Sequence, residues 1–103
     1  MSNEGDARVE ANLKVIREYL RSEFKGFNLT KDKQDGSLCH WFTMTNFQWY
    51  TPYTLQVSGP QLSDSSNTPE RIKRQLDTDN VAGNMRGRKK GGHFPWGFST
   101  HAH

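Results

Sequence analysis

The chain has little cysteine and no long apolar run. Its single cysteine, Cys39, excludes an internal disulfide bond and favours a reducing, cytoplasmic location. No apolar stretch approaches the roughly 18 residues that a membrane span needs, so we expect no membrane partner. Residues 1–6 also lack the basic and then apolar pattern of a secretory signal.

Hydrophobic residues are scarce as well, at 32% of the 103 residues, whereas aromatic residues reach 12%. Because disordered chains are poor in aromatics, this composition predicts a small core built from large side chains. The length is typical of one domain. We expect an N-terminal extension over 1–6, a single α+β domain over 7–83, and a basic, glycine- and aromatic-rich tail over 84–103.

The spacing of apolar residues predicts a first helix over about 6–24. These residues recur three or four positions apart, which forms one stripe on a helix: Val9, Leu13, Ile16, Leu20 and Phe24. Gly26 lies just beyond, where a helix commonly ends in a left-handed residue.

After Gly26 the period changes to two, which predicts three antiparallel strands over 27–32, 38–45 and 53–58. Asp35-Gly36 is a hairpin signal between the first two. Alternation places Phe27, Leu29 and Lys31 together on one face. It leaves a mostly polar open face with one large aromatic residue: Thr30, Trp41, Thr43, Thr45, Thr54 and Gln56.

Thr68 and Pro69 mark the start of a second helix, with Gly83 as a stop. The predicted fold is therefore a two-layer α+β sandwich of helix, three-stranded antiparallel sheet and helix, followed by the tail. Double-stranded-RNA-binding domains share this element order and begin their last helix with a lysine cluster. The corresponding residues here, 69–74, hold three basic residues without such a cluster, so the order assigns no family.

Charge is concentrated at the C-terminal end. Residues 1–69 hold seven basic and eight acidic side chains (−1), and residues 70–103 hold seven and three (+4). Such asymmetry favours a polyanionic partner, so we expect nucleic acid, DNA or RNA, to be bound by the tail. The residues expected to contact phosphates or the minor groove are Arg86, Arg88, Lys89 and Lys90, with Arg71, Lys73 and Arg74 extending the surface.

The Arg86-Gly87-Arg88 unit resembles the core of an AT-hook but lacks the proline that follows in that motif. The alternative is a solvated basic tail. Three aromatic residues follow it, Phe94, Trp96 and Phe98. Trp96, and Trp41 in the sheet, are candidates to stack on unpaired bases. The tail aromatics would otherwise dock into a partner's groove or fold back over the sheet near Trp41.

A second group of aromatic residues suggests a different function. Neighbours on a strand point to opposite faces, so these side chains cannot all enter one small core: Trp41, Phe47, Trp49, Tyr50 and Tyr53. Contiguous exposed aromatics mark interaction sites. The alternative function is therefore a protein-interaction module or a homo-oligomer, and a third is a small-ligand pocket beneath these rings.

Catalytic patterns are weak, and we expect no enzyme and no cofactor. Cys39 and His40 are neighbours on a strand, so their side chains diverge and cannot form a nucleophile–base pair. We interpret His40 as a hydrogen-bonded core histidine. His93, His101 and His103 lack the cysteine or acidic partners of a structural zinc site, so we expect no metal. The sequence thus predicts a small non-enzymatic binding protein.

Overall fold

Eight helices and strands follow one another in the computed structural model, which describes residues 4–35, 39–46, 52–87 and 93–97. They are α1 (Glu4–Glu23), β1 (Asn28–Asp35), β2 (Cys39–Thr45), β3 (Tyr53–Ser58), α2 (Gly59–Ser63), α3 (Pro69–Thr78), α4 (Val81–Arg86) and β4 (His93–Trp96). The expected α+β class is confirmed. Among the described residues, none of the helices has the length and apolar character needed to cross a bilayer.

The sheet has the strand order β1-β2-β3-β4 and differs in detail from the expected one. The first three strands pair antiparallel as predicted, but β4 adds a fourth strand, parallel to β3. The three-stranded, purely antiparallel sheet was therefore wrong. β4 spans only His93–Trp96 and contains Pro95, so it carries no alternating apolar signal. A proline is tolerated there because β4 lies at an edge of the sheet.

A register shift in β1 reverses the expected faces of that strand from Lys31 onward. The shift lies between Leu29 and Lys31, so that Lys31 pairs with Thr43 and Asp32 pairs with Phe42. Lys31 therefore shares the open face with Thr43, and the expected grouping of Lys31 with Leu29 was wrong. β1 also continues to Asp35, past the predicted end at residue 32. The consequence is that Asp32 lies on the core side of the sheet.

The helices cover one face of the sheet and enclose the core. The predicted stripe on α1 is buried from Leu13 to Phe24, and it packs with buried side chains from β2 and β3: Phe42, Met44, Leu55 and Val57. Burying each such side chain contributes about 1.5–3 kcal/mol. The amide of Asn12, fully buried, donates to the carbonyls of Leu62 and Asn67 at 2.9 and 2.8 Å, which ties α1 to the chain around α2.

The connection between β3 and β4 is more helical than expected. Residues 59–63, predicted as a strand end and a loop, form α2. Ser58 Oγ caps this helix by accepting from the backbone N–H of Gln61. Thr68 caps α3 as predicted, accepting from Arg71 N at 3.2 Å. The predicted second helix ends earlier than Gly83, at Thr78, and Gly83 lies inside a separate helix, α4, in which Val81, Ala82 and Met85 are buried.

Asp32 organises a charged cluster beneath the sheet. Arg17 Nε donates to its Oδ2 at 2.5 Å, and His40 Nε2 lies 2.6 Å from its Oδ1. Burial raises the pKa of Asp32, but the hydrogen bonds and charges of Arg17 and His40 together outweigh burial and hold that pKa below its usual value. The bond to Asp32 in turn raises the pKa of Arg17. His40, 8% exposed, is thus a hydrogen-bonded core histidine, as predicted.

Candidate nucleic-acid interface

The face of the sheet opposite the helices presents two rows of side chains. Strand register brings the members of each row side by side across the four strands. From β1 to β4, the first row is Lys33, Trp41, Gln56 and Pro95, and the second is Lys31, Thr43, Thr54 and His93. This is the open face that the sequence predicted, now extended by β4.

Trp41 is the large aromatic residue of this surface. Its side chain is half-buried, and the Lys31 ammonium lies 5.4 Å from the centre of its ring. The imidazole of His93, from β4, has its ring centre 5.2 Å from that of Trp41 at an interplanar angle of 55°. The indole therefore contacts a lysine from β1 and a histidine from β4.

The charged side chains described on this face are basic. Lys31 and Lys33 are exposed on β1, and His93 is exposed on β4. The carboxylate of Asp32, from the same strand as the lysines, is turned to the helical side, where it binds Arg17. Alternation places Asp32 on the face opposite Lys31 and Lys33, and the register shift turns the two lysines to the open face, which favours an anionic partner there.

Threonine hydroxyls supply hydrogen-bonding groups around Trp41. The Thr43 and Thr54 hydroxyl oxygens are 3.3 Å apart, and the Thr45 hydroxyl donates to that of Thr30 at 3.5 Å. A hydroxyl both donates and accepts, so these groups are suited to the phosphate, sugar and base edges of a nucleic acid. Together with Trp41 and the lysines, they form the surface that we call the Trp41 platform.

Of the basic residues predicted from the sequence, those that the structure describes do not converge on this platform. Arg86 donates from Nη2 to the carbonyl of Glu23, and its guanidinium lies 4.5 Å from the centre of the Phe24 ring. It therefore closes the C-terminal end of α1, where a cation is favoured by the helix dipole. Arg71, Lys73 and Arg74 are exposed on α3, within the helical layer and across the sheet from Trp41.

Trp96, the other predicted stacking residue, is part of the core. Its side chain is 4% exposed, and its indole Nε1 donates to Asp79 Oδ2 at 2.8 Å. A ring without an exposed face has no surface for a base, so Trp96 has a structural role. Its neighbour Phe94 is half-buried and packs against the core. These side chains complete the helical side of the sheet and do not cover its open face.

The predicted aromatic interaction surface is divided. Tyr53 packs against Phe24 and Phe27, with ring centres 5.2 and 5.6 Å away, on the side of the sheet opposite Trp41. The structure therefore does not bring Tyr53 and Trp41 together. The remaining predicted residues of both sites lie outside the described residues: Arg88, Lys89, Lys90, Phe47, Trp49 and Tyr50.

Sequence reasoning missed Lys31, Lys33 and His93 as members of the candidate site. Lys31 was placed on the other face, because a register shift leaves no recognisable mark in the sequence, and Lys33 was placed in the turn after the first strand. His93 was assigned to the tail because its strand is four residues long. Over the ranges that the structure describes, no group of three or more His, Cys, Asp or Glu side chains is arranged to hold a metal ion.

Neither protein-family models, nor curated proteins, nor solved structures give a match to this chain. Its function is therefore argued from the surface chemistry of the described residues.

Proposed function

We propose that the protein binds single-stranded nucleic acid across the Trp41 platform, with an unpaired base stacked on the Trp41 indole. The observation that supports this most is the position of Trp41 on an open sheet face, with Lys31 at 5.4 Å and His93 at 5.2 Å. Aromatic side chains on open sheets are a common way to bind unpaired bases.

A base can displace Lys31 from the indole at a net gain. A cation–π contact at an exposed site is worth about 0.5–1 kcal/mol, whereas a stacked base contributes about 1–3 kcal/mol. The lysine released from Trp41 is then available to a phosphate of the same strand. Base stacking and phosphate binding therefore reinforce each other on this surface.

The basic run of the sequence connects directly to the platform. Lys90 precedes His93 by three residues, a length of chain that spans at most about 11 Å. Lys31 and Lys33 on β1 with Arg88, Lys89 and Lys90 before β4 supply five cations. Five phosphate contacts predict a salt dependence with a slope of roughly −3.5 on a single strand, at about −0.7 per contact.

A single strand suits this geometry better than a duplex. Stacking on an indole requires a free base face, which paired bases do not offer. Minor-groove binding by an Arg-Gly-Arg unit would need both arginines in the groove, but Arg86 is engaged with Glu23 and Phe24. The proposal therefore keeps Arg88, Lys89 and Lys90 as phosphate contacts and assigns the base contact to Trp41.

Fluorescence anisotropy of labelled oligo(dT), oligo(U) and duplex DNA, measured at several salt concentrations, tests the proposal. Lys31→Ala/Lys33→Ala is the test variant. Lys14→Ala/Lys73→Ala is its charge-matched control, because both lysines of the control are exposed on helices. We expect the test variant to weaken single-strand binding and reduce the salt slope by roughly 1.4, and the control to bind like wild type.

Two results count against the proposal. Equal weakening by both double variants would indicate non-specific charge attraction. A mass that rises with protein concentration, insensitive to salt, without oligonucleotide binding, would favour self-association through the aromatic residues instead.

A further inference from the structure

On the side of the sheet away from the Trp41 platform, a cleft lies between α1, α2 and the point where β1 ends and β2 begins. Its volume is about 510 Å³, within the range of small-molecule sites. An aliphatic wall of Val9, Leu13 and Leu62 faces polar groups from Glu10, Arg17 and His40. A ligand here would meet hydrocarbon on one side and a charged cluster on the other.

Asp32 holds two of these polar groups in place without lining the cleft itself. One carboxylate oxygen accepts from Arg17 Nε at 2.5 Å, and the other lies 2.6 Å from His40 Nε2. Arg17 Nη2 adds a longer bond to Asp32 at 3.4 Å. Because two guanidinium nitrogens are bound to one carboxylate, the orientation of Arg17 is fixed before any ligand arrives.

The third guanidinium nitrogen of Arg17, Nη1, is not bound to Asp32 and faces a different carboxylate. It donates to Glu10 Oε2 at 3.0 Å, but the Glu10 side chain is 68% exposed, whereas that of Arg17 is 23% exposed. An ion pair with so exposed a partner contributes little, because holding a long side chain in one geometry costs entropy and solvent screens the charges. Glu10 therefore binds Arg17 weakly, whereas Arg17 itself is held firmly by Asp32.

We propose that this cleft binds a small organic acid. The ligand's carboxylate takes the place of Glu10 on Arg17 Nη1, and its hydrocarbon part packs against Val9, Leu13 and Leu62. The ligand adds one negative charge to the cleft, and the displaced Glu10 carboxylate, on a largely exposed side chain, is hydrated instead. A cationic ligand is disfavoured because the Asp32 oxygens are already engaged and a cation would face the guanidinium.

Titration of the full chain with hexanoate, hexanol and hexylamine at neutral pH tests this assignment. The three probes share a hydrocarbon chain and differ in their charge. Backbone amide shifts of Leu13, His40 and Leu62 in NMR spectra report binding in the cleft. We expect hexanoate to shift these signals in a saturable manner and the other two probes to leave them unchanged.

Two variants separate the role of Glu10 from a general charge effect. Glu10→Gln removes the competing carboxylate and is expected to tighten hexanoate binding roughly twofold to fivefold. Glu18→Gln removes the same charge from an exposed position outside the cleft and is expected to bind hexanoate like wild type. Arg17→Lys keeps the positive charge but loses the forked geometry, and is expected to weaken binding about tenfold.

Three results overturn the assignment. Hexanol or hexylamine shifting the cleft signals as strongly as hexanoate would show that the carboxylate is not recognised. Equal affinities of wild type and Glu10→Gln would show that Glu10 does not occupy the anion position. Absence of saturable shifts in both proteins would show that the cleft does not bind organic acids. None of these results bears on the Trp41 platform, which stands independently.

Discussion

The indole N–H of Trp96 donates to Asp79 Oδ2 at 2.8 Å, and this bond joins the edge strand β4 to the turn between α3 and α4. It extends the attachment of β4 beyond its backbone pairing with β3. In the sequence, the basic run 88–90 precedes β4 by two glycines.

Removing the acceptor at residue 79 is expected to destabilise the protein. Asp79→Ala leaves the buried Trp96 N–H without a partner, which costs about 1–3 kcal/mol. Asp79→Asn is the matched control, because its amide oxygen can still accept and its cost should be clearly smaller. Urea unfolding compares the two. Equal stability of Asp79→Ala and wild type would show that the bond does not hold β4.

Gly97 is expected to tolerate no side chain. Its φ is +86°, and a Cβ there would lie 2.6 Å from Gln61 Cβ. Gly97→Ala therefore combines a left-handed backbone with a steric clash and should cost about 1–3 kcal/mol. Gly87→Ala is the control, because Gly87 is right-handed and a Cβ there would meet its nearest neighbour at an ordinary 3.5 Å. Thermal unfolding showing equal losses for both would contradict this account of Gly97.

Arg86 is expected to contribute to stability instead of nucleic-acid binding. Arg86→Ala loses the bond to the Glu23 carbonyl and the contact with the Phe24 ring, for a loss of about 1 kcal/mol. Arg71→Ala, at an exposed position on α3, should leave stability unchanged. Chemical unfolding and oligonucleotide titration of both variants check this. An Arg86→Ala variant of normal stability but lost oligonucleotide binding would restore the role first expected of this residue.

Acid is expected to weaken the fold through Asp32. The pKa of this carboxyl is lowered in the folded state, so its stabilising effect is fully present above the unfolded value of about 3.9. That effect is lost as the pH falls through the lower folded value. Asp32→Asn should therefore reduce stability at neutral pH and flatten its decline in acid. Urea unfolding of wild type and variant between neutral and acid pH measures both effects, and parallel curves would contradict the assignment.

How far the sequence predicted the fold depends on the kind of signal each element carries. The α1 stripe and the Thr68 cap were predicted because helix periodicity and capping are local patterns. β3 matched its predicted bounds because strand alternation is also a local pattern. The strand β4 was missed because a parallel edge strand is created by pairing with β3, which is distant in sequence. No local pattern in four residues reports such a pairing.

Some residues of the candidate site were placed on the correct face from the sequence, and others were not. Trp41 and the threonines of the open face were assigned correctly from alternation, since that rule depends only on neighbouring residues. Lys31 was placed on the wrong face because the register shift after Leu29 changes the alternation. Arg86 was expected to contact phosphate because it belongs to a basic run. Its contacts with Glu23 and Phe24 exist only once α4 packs against α1, so the sequence alone does not show them.

Binding of labelled oligo(dT) to wild type, Trp41→Ala and Trp41→Phe at low salt tests the central claim most directly. Because a stacked base contributes about 1–3 kcal/mol, Trp41→Ala should weaken binding roughly fivefold to 150-fold, whereas Trp41→Phe retains a ring and should stay close to wild type. If all three proteins bind with the same affinity, or if none binds, the Trp41 platform is not a nucleic-acid interface.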